Sequence, residues 1–568
     1  MKKFYRWIVN HQNFIIGLYV VLFLICAICR QFVSVNYDMN DYLPPDSAST
    51  IALDLMDEEY DGGIVNARAM IEDVTIAGAL EYKEKLLEID GVNDVTWLDD
   101  VVSITIPLET QDKDIVETYY KDGNALFLIT IDENKRIEAV NEIEELIGED
   151  NALTGSAVTT AIATTSTVEE IRTIAIIAVI FVFAVLLLTT TSYAEPFLVL
   201  IGLGIAIIIN SGSNLIFGEI SFVTNAAGNI LQLAVSLDYS VFLIHRFCEC
   251  RFTNKDPKEA MVEALFMSTT SILSSGLTTV IGFLALCLMQ FQIGPDLGLA
   301  LAKGVAISLI TVFTFMPTLI LKTYKFIDKT NHKSFMPSFN GFGHFVSKIM
   351  MPLVIVFILL IVPSYLASNA NSFYFGSSHI FGINTSLGKD TKKIEDTFGK
   401  QDTYVLIVPK TSISTQKELS DRLHEIDEVS SIVSYVDSVG ETIPEQYLDS
   451  GTLSKLNSDN YTRMVLTLDT NYESENTFSL VEEIRDIANE YYPDSWYLVG
   501  EGVSTYDLMD TVTADMVKVN LLAIGAVFLV LLLTMKSIIL PIILVLSIET
   551  AVWINFSIPY LLVKQFSI

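Results

Sequence analysis

The stretch Phe222–Ile244, FVTNAAGNILQLAVSLDYSVFLI, is 23 residues long and carries a single charged side chain, Asp238. About 20 apolar residues in a row suffice to cross the hydrocarbon of a bilayer as a helix. A carboxylate near the middle of such a helix costs about 2.5–3.5 kcal/mol on insertion scales. Such a group persists where it has a task or a partner. The stretch therefore sets the fold class and supplies the first candidate residue.

Working outward, the same kind of run recurs along the chain. Of 568 residues, 51 % are hydrophobic, and the mean hydropathy is +0.46. Uncharged runs lie at 13–29, 173–194, 197–218, 222–237, 270–295, 304–321, 350–378, 519–535 and 537–548, the last continuing past Glu549 to Leu562. These predict nine membrane spans and an α-helical integral membrane protein. MKKFYRWIVNHQN precedes the first run, and no small-residue cleavage site follows it, so it reads as an uncleaved signal anchor. Lys2, Lys3 and Arg6 place the N-terminus in the cytoplasm. The basic loops HRFCECRFTNKDPK (245–258) and LKTYKFIDKTNHK (321–333) fall on the same side when nine spans are counted.

Two polar segments, 34–170 and 379–513, then lie outside. Residues 34–170 hold 32 Asp and Glu against 7 Lys and Arg, a net of −25 out of −33 for the chain. That is a solvated surface, or one that attracts cationic amphiphiles. Nucleic acid is disfavoured as a partner. Cys26, Cys29, Cys248, Cys250 and Cys287 all lie in predicted spans or cytoplasmic loops, so the outer segments are expected to hold together without disulfides.

The chain also matches itself. EID at 88–90 returns at 425–427, NALFLITID at 124–132 returns as YTRMVLTLD at 461–469, and IP at 106–107 returns at 443–444, all at an offset of 337. LTGS at 153–156 matches LVGE at 498–501, and LLLTTTSYAEP at 186–196 matches LLLTMKSIILP at 531–541, both at an offset of 345. Ordered matches at a near-constant offset indicate internal duplication. Adding 345 to 238 gives 583, so a second acidic site would fall beyond Ile568 and the second repeat is expected to be incomplete.

Within each outer segment, strand and helix patterns alternate. IVNARAMIEDV, VNDVTWL, ALFLITI and NALTG read as strands around the helices TIAGALEYKEKLLEI and NKRIEAVNEIEELI. TYVLIVP, VSSIVSYV, TRMVLTL and SWYLVG do so around STQKELSDRLHEI and TFSLVEEIRDIANEY. Two βαβ units in tandem predict a ferredoxin-like βαββαβ α+β domain in each segment. The expected organisation is a cytoplasmic N-terminus and first span (1–33), an external domain (34–170) and spans two to six (171–322). A cytoplasmic loop (323–346), the seventh span (347–378), a second external domain (379–513) and spans eight and nine (514–568) complete it.

Projected at 100° per residue, Asn225, Asn229, Gln232, Ser236 and Tyr239 share one face of the Asp238 helix, and Asp238 lies one step round. Such a stripe is expected to line the bundle interior. Burial favours the neutral form of a carboxylate and water access the charged form. Asp238 is thus suited to carry one proton per cycle, or else to act as a static anchor. In TTSILSSGLTTVIGFLAL (269–286), Ser271, Ser275, Thr278 and Gly282 form a small-residue stripe, read as helix packing. Ser274, Ser275 and Thr278 are alternatively proton-path hydroxyls. Lys303, two turns from Asp296, either snorkels to the surface or pairs with an acidic group. His245, on the Asp238 face, sits at the cytoplasmic edge. There is no G-x-x-x-x-G-K-[ST] motif, no histidine pair at metal-ligand spacing and no nucleophile motif, so neither ATP, a metal nor an enzyme reaction is indicated.

The duplicated plan and SLDYSVFLIHRF (236–247) together resemble the RND superfamily, in its MMPL-type branch of lipid and hydrophobe exporters. DYLP at 41–44 and GLALAKGVAISLITVFTFMPTLIL (298–321) carry the same resemblance. It implies that Asp238 is the proton acceptor of a relay and Tyr239 its hydrogen-bonded neighbour, working with a like pair in a tenth span absent from these residues. It further implies an exporter of lipids or other amphiphiles driven by the proton-motive force, with drug antiport as a variant. No cofactor beyond the coupling proton is implied. The expected partners are the bilayer, a hydrophobic substrate, and a second copy or an accessory membrane protein, in the plasma membrane of a prokaryotic cell. The outer segments are too short for the docking funnel of tripartite drug pumps. A SecD/SecF-like helper of protein export and a non-transporting lipid sensor or remnant are the alternatives.

Overall fold

The computed structural model describes residues 1–60, 65–111, 113–132, 134–253, 256–332, 335, 340–371, 373, 375–376, 381–382, 384–400, 402–438, 450–470 and 473–566. The chain begins with α1 (Lys2–Asn10), α2 (Gln12–Cys29) and β1 (Ser34–Asn36). The first polar segment supplies α3 (Ala48–Glu59), β2 (Ala67–Ile71), α4 (Ile76–Leu87), β3 (Val92–Thr96), α5 (Leu98–Val101), α6 (Lys113–Tyr119), β4 (Tyr120–Lys121), β5 (Asn124–Ile131), α7 (Arg136–Ile147) and β6 (Ala152–Thr154). Long helices follow: α8 (Ser156–Thr189), α9 (Ala194–Ser213), then β7 (Glu219–Ser221), α10 (Phe222–Thr253), α11 (Pro257–Ala285), α12 (Ile293–Lys329) and α13 (Asn340–Ser368). The second polar segment supplies α14 (Ser386–Phe398), β8 (Asp402–Pro409), α15 (Ile413–Leu423), β9 (Val429–Val433), α16 (Tyr435–Ser438), α17 (Ser450–Leu456), β10 (Tyr461–Leu468), α18 (Glu475–Tyr491) and β11 (Tyr497–Val499). Two long helices, α19 (Glu501–Met535) and α20 (Ile539–Phe566), end the chain.

Among the described residues eight helical stretches are long and apolar enough to cross a bilayer, as eight of the nine expected spans require. The other is the apolar end of α8, Thr173–Thr189, shorter than the rest. The protein is a multi-pass membrane protein. Its residues form two compact units, one of Met1–Asn36, Glu169–Phe373 and Ala514–Ile568, the other of Tyr37–Val168 and Tyr374–Thr513. The helices α8 and α19 each run from one unit into the other.

In the helical unit α2, α9, α10, α11 and α12 share a core that includes Tyr19, Leu203, Leu243, Phe247, Leu265, Val305 and Met316. Dispersion holds these helices together, and small residues let backbones approach. A Cβ on Gly212 would lie 2.1 Å from the carbonyl oxygen of Cys26, so α9 meets α2 at a point where only glycine fits. Gly276 of α11 is occupied the same way by Leu309 of α12. The small-residue stripe expected on α11 is displaced, however. Ser271 and Ser275 are exposed, and the face that packs carries Ser268, Ile272 and Gly276. Volume against Leu309 selects that face; hydroxyl spacing does not.

The polar unit holds two antiparallel sheets. The first has the order β3-β5-β2-β6, with β4 at the tip of β5, and the second β11-β8-β10-β9. One face of the first sheet is covered by α4 and α7, through Ala79, Leu86, Ala139, Val140 and Ile143 on Ala69, Phe127 and Ile129. The second is covered likewise by α15 and α18, through Leu419, Leu423, Leu480, Val481 and Ile484. The other faces are covered by exchange. Ile394 and Phe398 of α14 pack on Met70, Leu126 and Ala152 of the first sheet. Ala52 and Met56 of α3 pack on Val405, Ile407 and Val499 of the second. Each polar segment thus lends a helix to the other's sheet, and together they form a single compact unit.

Candidate functional site

The helix α10 is pinned at its start by a carboxylate from α12. Asp296 Oδ2 accepts from Ser221 N at 2.7 Å and Thr224 Oγ1 at 2.6 Å, and Ser221 Oγ accepts from Thr224 N at 3.1 Å. These bonds satisfy donors that a helix N-terminus leaves free. From there α10 runs unbroken to Thr253, with Asp238 near its midpoint.

The expected inner stripe of α10 is in place. Gln232, Ser236 and Tyr239 are buried, at 1 %, 0 % and 5 % exposure. Gln232 accepts from Asn210 Nδ2 at 3.1 Å and donates to the Gly304 carbonyl and Ser308 Oγ, both at 3.0 Å. Ser211 Oγ donates to Asn229 Oδ1 at 2.8 Å. This hydrogen-bonded network ties α9, α10 and α12 in the apolar interior. Farther along, the hydroxyls of Ser236 and Ser240, and of Ser268 on α11, are buried with no partner among the described residues.

Asp238 points the other way. It is exposed, on a face shared with Leu231, Ala234, Phe242 and His245. The 100° step between neighbours sends Tyr239 into the core with Leu243 and Ile244. The carboxylate and the phenol consequently make no hydrogen bond with each other, contrary to the expectation from the resemblance. The structure also keeps the other candidates apart. Thr278 Oγ1 donates to the Ser274 carbonyl at 2.8 Å, one turn back on its own helix, and Ser275 is exposed. Lys303 does not meet Asp296, and its side chain turns to the end of α9. Its Nζ donates to the Asn210 carbonyl (3.2 Å), Ser213 Oγ (2.8 Å) and Asn214 Oδ1 (2.7 Å), closing the C-terminus of α9. A cation there complements the carbonyl end of the helix dipole.

Three carboxylates that the sequence did not mark as sites in their own right are set into helix ends or turns. One is Asp296, described above. Asp515 of α19 is fully buried, and its Oδ2 accepts from the backbone N–H of Gln290 (2.6 Å) and Phe291 (2.9 Å) in the α11–α12 turn. Asp402, at the start of β8, accepts from Thr403 N at 2.8 Å and from Gly502 N in the first turn of α19 at 3.2 Å. Burial first, and Glu501 beside it second, push the Asp402 carboxyl up to about 8 against these donors and Arg68. A folded-state value above the unfolded one, ordinarily near 3.8, means that the folded protein holds this proton more tightly. The stabilisation is then fully present below about pH 4 and is lost as pH rises through about 8. The folding free energy of the purified protein is therefore expected to fall between pH 5 and pH 8, by up to about 1.4 kcal/mol per pH unit, and the thermal midpoint with it. Asp402→Asn should flatten that dependence, and an unchanged slope in the variant would assign it to other groups.

Among the described residues no group of His, Cys, Asp or Glu side chains could hold a metal ion.

Comparison with known proteins agrees with this architecture. The MMPL family profile matches residues 41–336 and 383–568. The putative membrane protein YdgH of Bacillus subtilis is 22 % identical over 397 residues, covering 65 % of this chain and 43 % of that protein. The siderophore exporter MmpL5 of Mycobacterium tuberculosis is 28 % identical over 206 residues, 34 % of this chain and 21 % of that one. The chain thus spans less than half the length of either relative. The hedgehog release protein Disp of the water bear Hypsibius dujardini shares the fold, with a TM-score of 0.56 at 11 % identity over 97 % of this chain and 86 % of that one. The chain belongs to the MMPL family.

Proposed function

We propose that this MMPL-family chain works in a proton-driven exporter of lipids or other amphiphiles, with Asp238 as the group that takes up and releases the coupling proton. The observation that carries the reading is the position of Asp238. It is an acidic side chain at mid-helix, on a face that the described residues leave open. A carboxylate facing hydrocarbon would cost about 2.5–3.5 kcal/mol, so in the working protein this face is covered by polar protein or reached by water. Access that alternates between the two is what converts proton binding into movement. The N-terminus lies in the cytoplasm of a prokaryotic cell on this reading, the polar unit lies outside, and no cofactor other than the proton takes part.

We read the two sheets as ferredoxin-like porter domains that arose by duplication. Their common strand order, fourth-first-third-second with two covering helices, supports this. So do matched side chains. Asp100 accepts from Lys83 Nζ at 2.5 Å and from Trp97 N at 2.9 Å. Asp437, 337 positions on, accepts from Ser420 Oγ at 2.7 Å and Ser434 Oγ at 2.6 Å. Both donors again sit at the offset of 337 from Lys83 and Trp97. Gly155 and Gly500 likewise press on equivalent strand starts, Asn66–Ala67 and Thr403–Tyr404.

The test is transport of a fluorescent amphiphile by everted vesicles under an imposed pH gradient, comparing the wild type with Asp238→Asn. Equal rates in the two would remove Asp238 from the mechanism.

A further inference from the structure

The helix α19 leaves the second sheet at a tight joint. Tyr404 of β8 is fully buried there between two glycines. An added Cβ on Gly500 would lie 2.4 Å from its Cδ1, and one on Gly502 would lie 2.2 Å from its hydroxyl. Strand and helix approach this closely because neither glycine carries a side chain. The same Cβ on Gly502 would lie 3.0 Å from Asp402 Oδ2, which accepts the Gly502 N–H at 3.2 Å. The Asp402 carboxyl and the Tyr404 hydroxyl thus both lie against the first turn of α19. That hydroxyl makes no hydrogen bond among the described residues.

The charges at this joint do not balance when all are ionised. Asp402 faces Glu501 from α19 and Arg68 from β2, with Tyr404 beside it on its own strand. Arg485 of α18 acts on Tyr404 and is paired with Asp507 of α19 at 2.9 Å. Two carboxylates, Asp402 and Glu501, then stand against the Arg68 guanidinium, and both Asp402 and Arg68 are buried. A proton on Asp402 removes the excess negative charge. The neutral carboxyl also gains an O–H, for which the Tyr404 oxygen is a neighbouring acceptor. Glu501 is half-buried, which brings the joint within reach of the solution.

The first sheet has the same joint without these groups. Gly155 presses on Asn66 and Ala67 as Gly500 does on Thr403 and Tyr404. At the repeat offsets of 337 and 345, Val65, Ala67, Ser156 and Ala157 stand where Asp402, Tyr404, Glu501 and Gly502 do. Ala157 N donates to the Asn66 carbonyl at 3.0 Å, a bond with no titratable partner. This equivalence rests on the duplication read above.

We propose that the joint at the start of α19 is a proton-binding site of the polar unit. A proton on Asp402 fixes the first turn of α19 to β8, and its loss releases that turn. The matching joint at the start of α8 is insensitive to pH. The sign follows from linkage. In the released turn Asp402 meets water and returns toward the ordinary carboxyl value of 3.8, whereas in the closed joint burial and Glu501 hold it up to about 8. Between those values release becomes easier by up to about tenfold per pH unit, and above them it no longer changes.

Hydrogen exchange of the full chain in lipid nanodiscs tests this, read by mass spectrometry from pH 5 to pH 9 and expressed as protection factors. Residues 501–508 are expected to lose protection by up to about tenfold per pH unit and to level off near pH 8. Residues 156–163 should keep theirs throughout. Asp402→Asn is neutral at every pH and should abolish the loss at 501–508. Glu501→Gln, on a half-buried side chain, gives a second reading. Without that neighbouring charge Asp402 holds its proton less tightly, so the levelling off moves to lower pH. Constant protection of 501–508 in the wild type, an equal loss at 156–163, or an unaltered curve in either variant would overturn the proposal. Asp238 and transport play no part in the readout, so failure here leaves the export reading standing.

Discussion

Asp238→Asn is expected to abolish export, by on the order of 100-fold or more, while the protein reaches the membrane at wild-type level. Asn matches Asp in shape and bonding reach but does not exchange a proton near neutral pH. The substitution also removes a charge from mid-helix, so insertion of α10 becomes easier and low abundance would not explain the loss. The same transport assay weighs Tyr239 separately. Its ring is 5 % exposed within the α10–α12 core, and its hydroxyl does not bond Asp238. Tyr239→Phe should therefore keep transport within a few-fold of wild type. A loss as deep as that of Asp238→Asn would mean that the two side chains meet in another state of the cycle.

The second large effect is expected at Asp515. Both of its bonds use one oxygen, Oδ2, and both donors are backbone N–H groups of the α11–α12 turn. Asp515→Ala strands those donors, Phe291 N in a buried position, at a cost of about 1.5–3 kcal/mol for each bond to a charged acceptor. Asp515→Asn presents a carbonyl oxygen in the same place and should keep most of the stability. The thermal midpoint in detergent separates the two: a drop of several degrees for Ala and a small one for Asn. Equal drops would show that charge, not the shared acceptor, holds the turn. The same helix, α19, carries the Gly502 N–H that Asp402 caps, and Asp296 ties α12 to the start of α10.

Much of this architecture was legible from periodicity alone. Uncharged runs located the spans, because a bilayer imposes length and apolarity on one continuous helix. Alternation located the strands of both sheets to within a few residues, β5 (Asn124–Ile131) and β10 (Tyr461–Leu468) among them. The exchange of α3 and α14 was missed, although a signal existed. ARAMI at 67–71 is buried at every position, and TYVLIVP at 403–409 is nearly so. Strands apolar on both faces require cover on both. The inner stripe of α10 followed from a 100° projection, and the same projection turned Asp238 away from it. Asp296, Asp402 and Asp515 were invisible as sites, since each acts on backbone N–H groups remote in sequence. Lys303 was read by its depth alone. Its role came from the end of a neighbouring helix, which no spacing within its own helix reveals.

The most direct test of proton coupling reads the proton itself. Vesicles holding the complete native protein, oriented so that its cytoplasmic side faces a trapped pH dye, are given an amphiphilic substrate on that side and an acid bath outside. The expected result is substrate-dependent acidification of the lumen in the wild type and none in Asp238→Asn. Acidification of equal size in the variant would show that the coupling proton passes elsewhere, and would contradict the role assigned to Asp238.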